Sequence, residues 1–337
     1  MRHFFSFSLK GRDVAGYVLG IYFLMLLVGG TSAWYDYVYG DMFADSVLMN
    51  WSWLRNGALS LVAAFVVILL YSLLNLGLIR KTVCALGLKE EKFVAEYDTR
   101  KYLLLILKGV LLTVITFGIY APWFKVKLLR FYSDGISHRY NYLSFRGNAI
   151  TLFGIVVLFL ILPYVAILTI LAVCGITAFT SVDAMSLVSL WVVLGVAVAL
   201  LLESIFICLY YRWLIEFSYG SKRITTKFPS WSGIWFILGQ MVLTIITFGL
   251  YAPMMWLRTL RFFLSRTVVG DVTVESRMGM SLVPWRDWAY IWGQLLLTAI
   301  TAGIYMPWAY ARISTRFFPR CFVEDVASVD EPMPAEG

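Results

Sequence analysis

The stretch that decides the fold occurs three times, first as Thr113-Val-Ile-Thr116-Phe-Gly118-Ile-Tyr120-Ala-Pro122-Trp123. It returns as Thr244-Ile-Ile-Thr247-Phe-Gly249-Leu-Tyr251-Ala-Pro253-Met254, and again as Thr298-Ala-Ile-Thr301-Ala-Gly303-Ile-Tyr305-Met-Pro307-Trp308. Each copy ends a long apolar run and begins a run of basic and aromatic residues. The three copies therefore mark places where the chain passes from one environment to another.

The composition indicates that this environment is a lipid bilayer. Hydrophobic residues make up 61% of the chain and charged residues 14%, whereas soluble domains carry about half and about a quarter. Several uncharged runs are long enough to cross a hydrocarbon core of ~30 Å at ~1.5 Å per residue. We expect a single integral membrane domain over residues 1–323, with repeat units at 101–132, 233–263 and 289–318. The acidic residues 324–337 are predicted to be disordered.

The distribution of Lys and Arg favours one topology over another. If the four motif-free apolar segments and the three motif-bearing segments all cross, basic residues divide evenly between the two sides, against the positive-inside rule. If the motif-bearing segments instead re-enter, all but two of the 28 basic residues lie on one side, the exceptions being Arg55 and Lys108. We favour re-entry with a cytoplasmic N-terminus, and the seven-crossing arrangement stays open. The predicted class is an all-α polytopic membrane protein with four to seven transmembrane helices.

The motif itself gives a reason for re-entry. Its glycine permits a sharp turn, and its proline ends the helix four residues later. The tyrosine between them is either a gate or an aromatic anchor of the turn. The helix-break residues are Gly118, Tyr120, Pro122, Gly249, Tyr251, Pro253, Gly303, Tyr305 and Pro307.

The run after each proline reads as a basic amphipathic helix at the membrane surface. Bases recur among aromatic residues, which is typical of helices that lie on anionic headgroups. We expect the lipid bilayer, and not nucleic acid, to be their partner. These lipid-surface bases are Lys127, Arg130, Arg258, Arg261, Arg312 and Arg316.

Polar residues inside the apolar segments are the candidate functional positions. Two predictions stand for Lys108 and Glu203: either they pair with each other, or Lys108 extends to the headgroups and Glu203 takes a proton or a local hydrogen bond. Gln240 and Gln294 occupy the same place in two copies and either pack against neighbouring helices or contact a solute. Together with the motif threonines they could line a polar seam. Those threonines are Thr116, Thr247 and Thr301.

Shorter patterns predict further local features. Residues 80–101 carry both charges and indicate a short solvated helix, whereas Phe5-Ser-Phe7 and Tyr142-Leu-Ser-Phe145 indicate extended segments. The Gly16-x-x-x-Gly20 motif is typical of helix packing and leaves a homo-oligomer open.

The search for enzyme chemistry finds little. Two histidines allow no H-E-x-x-H site, so we predict no metal, and no G-x-x-x-x-G-K-[ST] loop is present for a nucleotide. The four cysteines are far apart in sequence and read as apolar fillers. We predict no cofactor and no enzyme, with a membrane enzyme built on Glu203 or the loop acids as the alternative.

At its three motifs the chain resembles the YjgN-like family of bacterial inner-membrane proteins, a domain of unknown function. The residues that carry the resemblance are Thr116 to Trp123 and Thr301 to Trp308, while the middle copy has Met254 in place of Trp and the third has Ala302 in place of Phe. The resemblance implies a multi-pass protein of the bacterial inner membrane. From the broken, polar segments we predict a transporter or channel-like protein for a small solute or ion. The alternative is a non-transporting scaffold or an anionic-lipid-binding envelope component.

Overall fold

The structure, a computed structural model, describes residues 2–43, 51–139, 141–178, 182–226, 230–270 and 275–325. Its helices are α1 (Gly11–Phe43), α2 (Trp51–Cys84), α3 (Thr99–Ile115), α4 (Ala121–Asp134), α5 (Ala149–Val156), α6 (Leu162–Ala178), α7 (Val182–Leu214), α8 (Ser230–Ile246), α9 (Ala252–Leu264), α10 (Pro284–Ile300) and α11 (Met306–Phe317). Its strands are β1 (Arg2–Phe7), β2 (Leu86–Leu88), β3 (Glu91–Lys92), β4 (Val94–Ala95), β5 (Ile136–His138), β6 (Asn141–Phe145), β7 (Phe217–Tyr219), β8 (Lys222–Thr226), β9 (Thr267–Gly270), β10 (Glu275–Met280) and β11 (Cys321–Asp325).

Four segments in the described part of the chain are long and apolar enough to cross a membrane. They are Gly11–Gly30, Val62–Cys84, Ala149–Thr169 and Val192–Leu214. These correspond to the four motif-free segments of the sequence, and each is mostly exposed. Apolar side chains that face outward over such a length are what a bilayer would cover.

The third of these segments contains a helical irregularity. α5 and α6 are joined by a π-helical turn, Val157–Ile161, which ends just before Pro163. Proline has no backbone N–H to donate, and its ring crowds the preceding turn. The helix therefore widens there to the i→i+5 hydrogen bonds of a π-helix.

The three motif-bearing segments form helical hairpins. α3 and α4, α8 and α9, and α10 and α11 are each joined by a tight turn that contains the motif glycine. The first arm of each hairpin has 17 residues, or ~25 Å of helix, whereas α1 and α7 each have 33 residues, or ~50 Å. The short hairpins are therefore about half as long as the hairpins made by α1–α2 and α5–α7.

The prediction of an all-α protein is wrong, because the segments between hairpins form an eleven-stranded sheet. The strand order is β3-β2-β1-β11-β10-β9-β8-β7-β6-β5-β4, and every neighbouring pair is antiparallel. β3 and β4, which end this row, are two halves of one extended segment with Phe93 between them. The sheet is therefore a nearly closed barrel.

The topology is a fivefold repetition of strand, helical hairpin and strand. The paired strands β1–β2, β4–β5, β6–β7, β8–β9 and β10–β11 each flank one hairpin. Because the two strands of each pair are antiparallel, all five hairpins leave the sheet at the same edge. The helices also contact their neighbours in chain order, and α11 packs against α1. Hairpins of both lengths thus stand side by side around the barrel rim.

The sheet has one mainly apolar face, which packs against the feet of the helices. Phe145 of β6 contacts Trp213 at the end of α7, with ring centroids 5.2 Å apart, and belongs to a buried cluster with Val126 of α4. Phe7 of β1 lies in a second cluster with Val14 of α1. This packing fixes the helices to the sheet where each hairpin begins and ends.

Several local predictions can be compared with these strands and helices. The extended segments around Phe5-Ser-Phe7 and Tyr142-Leu-Ser-Phe145 are confirmed as β1 and β6. The surface helix at residues 80–101 is wrong, because α2 continues to Cys84 and is followed by β2, β3 and β4. The predicted tail at 324–337 begins too early, since Glu324 lies in β11, and residues 326–337 are outside the described part of the chain.

Candidate functional site

The motif turn has the same geometry in all three hairpins. The first arm ends at the motif threonine, the next residue has a positive φ of 50°, 49° or 47°, and the glycine after it has φ of 88°, 83° or 88°. The threonine Oγ1 accepts a hydrogen bond from the motif tyrosine N–H at 3.0–3.2 Å and donates to the carbonyl four residues earlier. The threonine thereby satisfies backbone groups that the break would leave without partners.

The hairpin tips present apolar side chains to the surroundings. Phe117 is 97% exposed and Phe248 is 98% exposed. The backbone carbonyls beside two of the tips are nevertheless bonded by neighbouring helices: Trp288 Nε1 and Trp292 Nε1 each donate to Leu250 O at 2.9 Å. Tyr22 Oη of α1 donates to Ala302 O. Apolar tips with satisfied carbonyls suit a medium without water.

A glutamine–tyrosine pair joins the two arms of the second and third hairpins. Tyr251 Oη donates to Gln240 Oε1 at 2.7 Å, and Tyr305 Oη donates to Gln294 Oε1 at 2.9 Å. The structure thus gives both glutamines an intramolecular partner of the same kind. It brings them to equivalent positions in two hairpins but does not place them in a common contact with each other.

The first hairpin replaces this pair with packing. Gly109 stands where the other copies have glutamine, and a Cβ added there would lie 2.1 Å from the ring of Phe124. The residues equivalent to Phe124 are the less bulky Met255 and Ala309. The large ring and the missing side chain therefore compensate for each other.

A base lies over the motif tyrosine in every hairpin. Lys127 Nζ, Arg258 Cζ and Arg312 Cζ stand 5.5, 5.7 and 5.7 Å from the ring centroids of their tyrosines. Lys127 Nζ also donates to Tyr120 Oη at 2.8 Å, and Arg312 donates to Tyr305 Oη at 2.6 Å. These three bases were predicted to face lipid headgroups. They are exposed, but each also interacts with the helix break itself.

The other three predicted lipid-surface bases differ from one another. Arg130 donates to Gly147 O at 3.4 Å, and Arg261 is exposed. Arg316 is instead part of an ion cluster: Asp287 of α10 is fully buried and pairs with Arg316 at 3.0 Å and Arg320 at 2.8 Å. A buried carboxylate held by two guanidinium groups fixes the foot of the third hairpin.

Sequence reasoning missed the role of Asp287. The signal was present, since an acid in the first turn of α10 faces bases that follow 29 and 33 residues later on the returning chain. The equivalent position in the first hairpin is Tyr102, whose hydroxyl lies 2.9 Å from that of Tyr132. The same place in the fold is thus held by ions in one hairpin and by aromatic residues in another.

The predicted pairing of Lys108 with Glu203 is wrong in this structure. Among the ion pairs of the described residues, none joins these two side chains. Lys108 lies on α3 and Glu203 on α7, and α4 and α5 come between these helices in the row around the rim. The charge of Lys108 is exposed, and Glu203 is partly buried.

The foot of the first hairpin contains two titratable groups with shifted pKa values. Backbone N–H groups of Lys101 and Arg100 donate to Asp98, which caps α3, and these bonds hold the pKa of its carboxyl below the usual range. Burial raises the pKa of Tyr97 to about 12. Neither group is poised to exchange a proton near neutral pH. Among the described residues, no group of His, Cys, Asp and Glu side chains is arranged to hold a metal ion.

The long apolar segments, with the hairpins beside them, define a class: a polytopic helical membrane protein with a sheet at one end of its helices. Residues 3–142 match the model of a family described as bacterial protein of unknown function (DUF898), which is the YjgN-like family, and the resemblance drawn from the motifs is thereby confirmed. The matched region includes the first hairpin with its motif. No match was found among curated proteins or among solved structures.

Proposed function

We propose that the chain is a channel-like or transporter-like protein of the bacterial inner membrane, for a small solute or ion. In this proposal the four long segments cross the bilayer. The sheet faces the cytoplasm, including its first and last strands in chain order, β1 and β11. The three short hairpins enter from that side and return to it.

The single observation that carries the proposal is the construction of the three hairpins. Each is a pair of helices that turns back at an apolar tip, and in two copies neighbouring helices bond a tip carbonyl and a glutamine–tyrosine pair joins the arms. Broken helices with polar groups near the bilayer midplane are how many helical transporters build their solute sites. A first arm of ~25 Å would bring each tip most of the way through a ~30 Å core.

The charge distribution supports the same placement. Strands drawn from every basic connection of the chain pair in one sheet, so these connections share one side of the molecule. A seven-crossing topology would divide them between two sides. Basic residues on the sheet side fit the cytoplasmic face.

The experiment is a flux measurement on the purified full chain in liposomes, with K⁺, Cl⁻ and H⁺ as probes. The test variant replaces both partners of each polar pair: Gln240→Leu with Tyr251→Phe, and Gln294→Leu with Tyr305→Phe. Removing both partners leaves no unsatisfied buried group, so the fold should survive. We expect flux of at least one probe in the wild type and its loss in the variant.

The matched control replaces Thr259 and Ser265 of the second hairpin with Ala, because neither lies in a polar pair with a motif tyrosine. This control should conduct like the wild type. Unchanged flux in the four-residue variant would show that the pairs only hold the hairpins together. Absence of flux of all three probes in the wild type would remove the support for ion conduction.

A second candidate, an anionic-lipid-binding membrane scaffold, is favoured by the exposed bases near the hairpins. Because Lys127, Arg258 and Arg312 also contact the motif tyrosines, reversing their charge would disturb both functions. Lys125 and Arg261 are exposed bases outside those contacts. The scaffold function predicts that Lys125→Glu with Arg261→Glu weakens binding to anionic liposomes, with flux absent throughout.

A further inference from the structure

We infer that the groove between the arms of the first hairpin is a binding site for the phosphate group of an anionic phospholipid. The groove has a volume of about 320 Å³, which is at the lower end of the range for small-ligand sites. Its cations come from both arms: Lys101 and Lys108 from α3, and Lys127 from α4. The inference rests on the proposed position of this hairpin in the bilayer.

The walls of the groove suit the rest of a lipid. Leu104, Leu105, Leu112 and Phe124 line it beside the lysines, and the hydroxyl of Tyr120 is its other polar group. Gly109 also lines the groove, where the ring of Phe124 packs against it. A phosphate with an attached acyl chain would find cations and hydrocarbon in the same cavity.

The vertical position of the charges argues against a simple surface role. Lys101 lies in the first turn of α3, and Lys108 follows seven residues later, ~10 Å farther along the helix. Among the ion pairs of the described residues, Lys101 lies 3.8 Å from Asp98, while none includes Lys108 or Lys127. The Lys127 ammonium is bonded to Tyr120 Oη, toward the tip. Cations at such depth are costly unless an anion accompanies them.

This set of charges belongs to the first hairpin alone. Gly239 and Gly293 occupy the place of Lys108 in the other two hairpins, and Ser232 and Arg286 occupy the place of Lys101. The motif turn therefore does not require Lys108, whereas a base stands at the place of Lys127 in all three hairpins. Lys108 is the cation that is specific to the groove between α3 and α4.

The test is native mass spectrometry of the full chain with lipids added in mild detergent. Phosphatidylglycerol and phosphatidylcholine of identical acyl chains are compared, together with inorganic phosphate as a competitor. We expect the wild type to retain phosphatidylglycerol about tenfold better, and the Lys101→Gln, Lys108→Gln, Lys127→Gln variant to lose that preference. The corresponding triple arginine variant should keep it.

Lys125→Gln is the matched control, because Lys125 is an exposed lysine of α4 that does not line the groove. If the triple variant fails to fold, Lys108→Gln alone gives the test, since removing a charge from the segment eases insertion. Equal retention of both lipids by the wild type, or unchanged preference in the glutamine variant, would overturn the inference. Displacement of phosphatidylglycerol by inorganic phosphate would assign the groove to a free anion instead. Because lipid retention is measured without flux, loss of the transport proposal would leave a positive lipid result standing.

Discussion

At the scale of single residues, the ion cluster of the third hairpin is the clearest case of a side chain that the fold depends on. Asp287 accepts hydrogen bonds from Arg316, Arg320 and its own helix start at Val283 N–H. The carboxylate is fully buried, while the two arginine side chains are 27% and 28% exposed. Asp287 is thus the fully buried member of the cluster, and the two arginines that would remain without it are partly exposed to solvent.

We therefore predict that Asp287→Ala lowers the free energy of unfolding by about 3 kcal/mol, near the lower limit for breaking a buried ion pair. Denaturation in detergent, followed by tryptophan fluorescence, measures this loss. Asp134→Ala is the control, because Asp134 is an exposed acid at the end of α4. It should change stability by less than about 0.5 kcal/mol. Similar losses in the two variants would contradict a structural role for the cluster.

Sequence reasoning found some of these residues and missed others for a physical reason. The glutamines, threonines and tyrosines of the motif repeat at fixed spacing, so their equivalence is visible in one dimension. The role of Asp287 is not, because its partners lie on the far arm of a hairpin and occur in one copy only. Lys108 and Glu203 were paired by depth alone, and depth says nothing about which helices are neighbours.

At the scale of elements, the helix break was predictable because glycine and proline act locally. The motif was expected to turn at Gly118, Gly249 and Gly303, and all three have positive φ. The residues between α2 and α3 were read as a helix because their alternating charges resemble a solvated helical face. They form strands two or three residues long, which are too short to show a periodic pattern.

Two of the turn glycines provide a matched pair for a prediction. Gly118 and Gly303 have the same φ of 88°, but a Cβ on Gly118 meets nothing within 4 Å, whereas one on Gly303 meets Tyr22 at 2.5 Å. Gly118→Ala should therefore cost about 1–2 kcal/mol from backbone strain alone, and Gly303→Ala should cost clearly more. Thermal unfolding in detergent measures both values.

Gly239→Ala serves as the control for this comparison. Gly239 lies inside α8, where a Cβ meets nothing within 4 Å, so alanine should stabilise the helix by about 0.5–1 kcal/mol. Equal losses of stability for Gly118→Ala and Gly303→Ala would show that the Tyr22 side chain moves aside at little cost and does not hold the third tip.

At the scale of the whole molecule, the sheet could not be predicted from the sequence. Its strands come from the links between helices, and β1 pairs with β11, where Arg2 and Glu324 form an ion pair 322 residues apart. No local pattern contains that pairing. The basic links that the charge count put on one side do pair in this one sheet, while re-entry of the three hairpins stays a prediction.

The placement of the whole molecule gives the last prediction. In a cysteine-free background, Ser221→Cys, at the exposed turn between β7 and β8, should react with a membrane-impermeant thiol reagent from the cytoplasmic side. Phe117→Cys and Phe248→Cys should stay unlabelled from both sides, because the proposed topology places both tips in hydrocarbon. Labelling is compared in intact spheroplasts and in inverted vesicles. Labelled tips would place the short hairpins on the membrane surface and not within it.

The pairing of β1 with β11 also has a consequence for biosynthesis. A ribosome makes β1 first and its partner β11 only after the nine other strands and the eleven helices that the structure describes. During this time the edge of β1 that will meet β11 has open backbone donors and acceptors, a condition that invites pairing with a foreign strand. The ring therefore cannot be completed step by step as the chain emerges. Its final joint forms late, and a nascent chain that stops short of β11 leaves that edge uncovered.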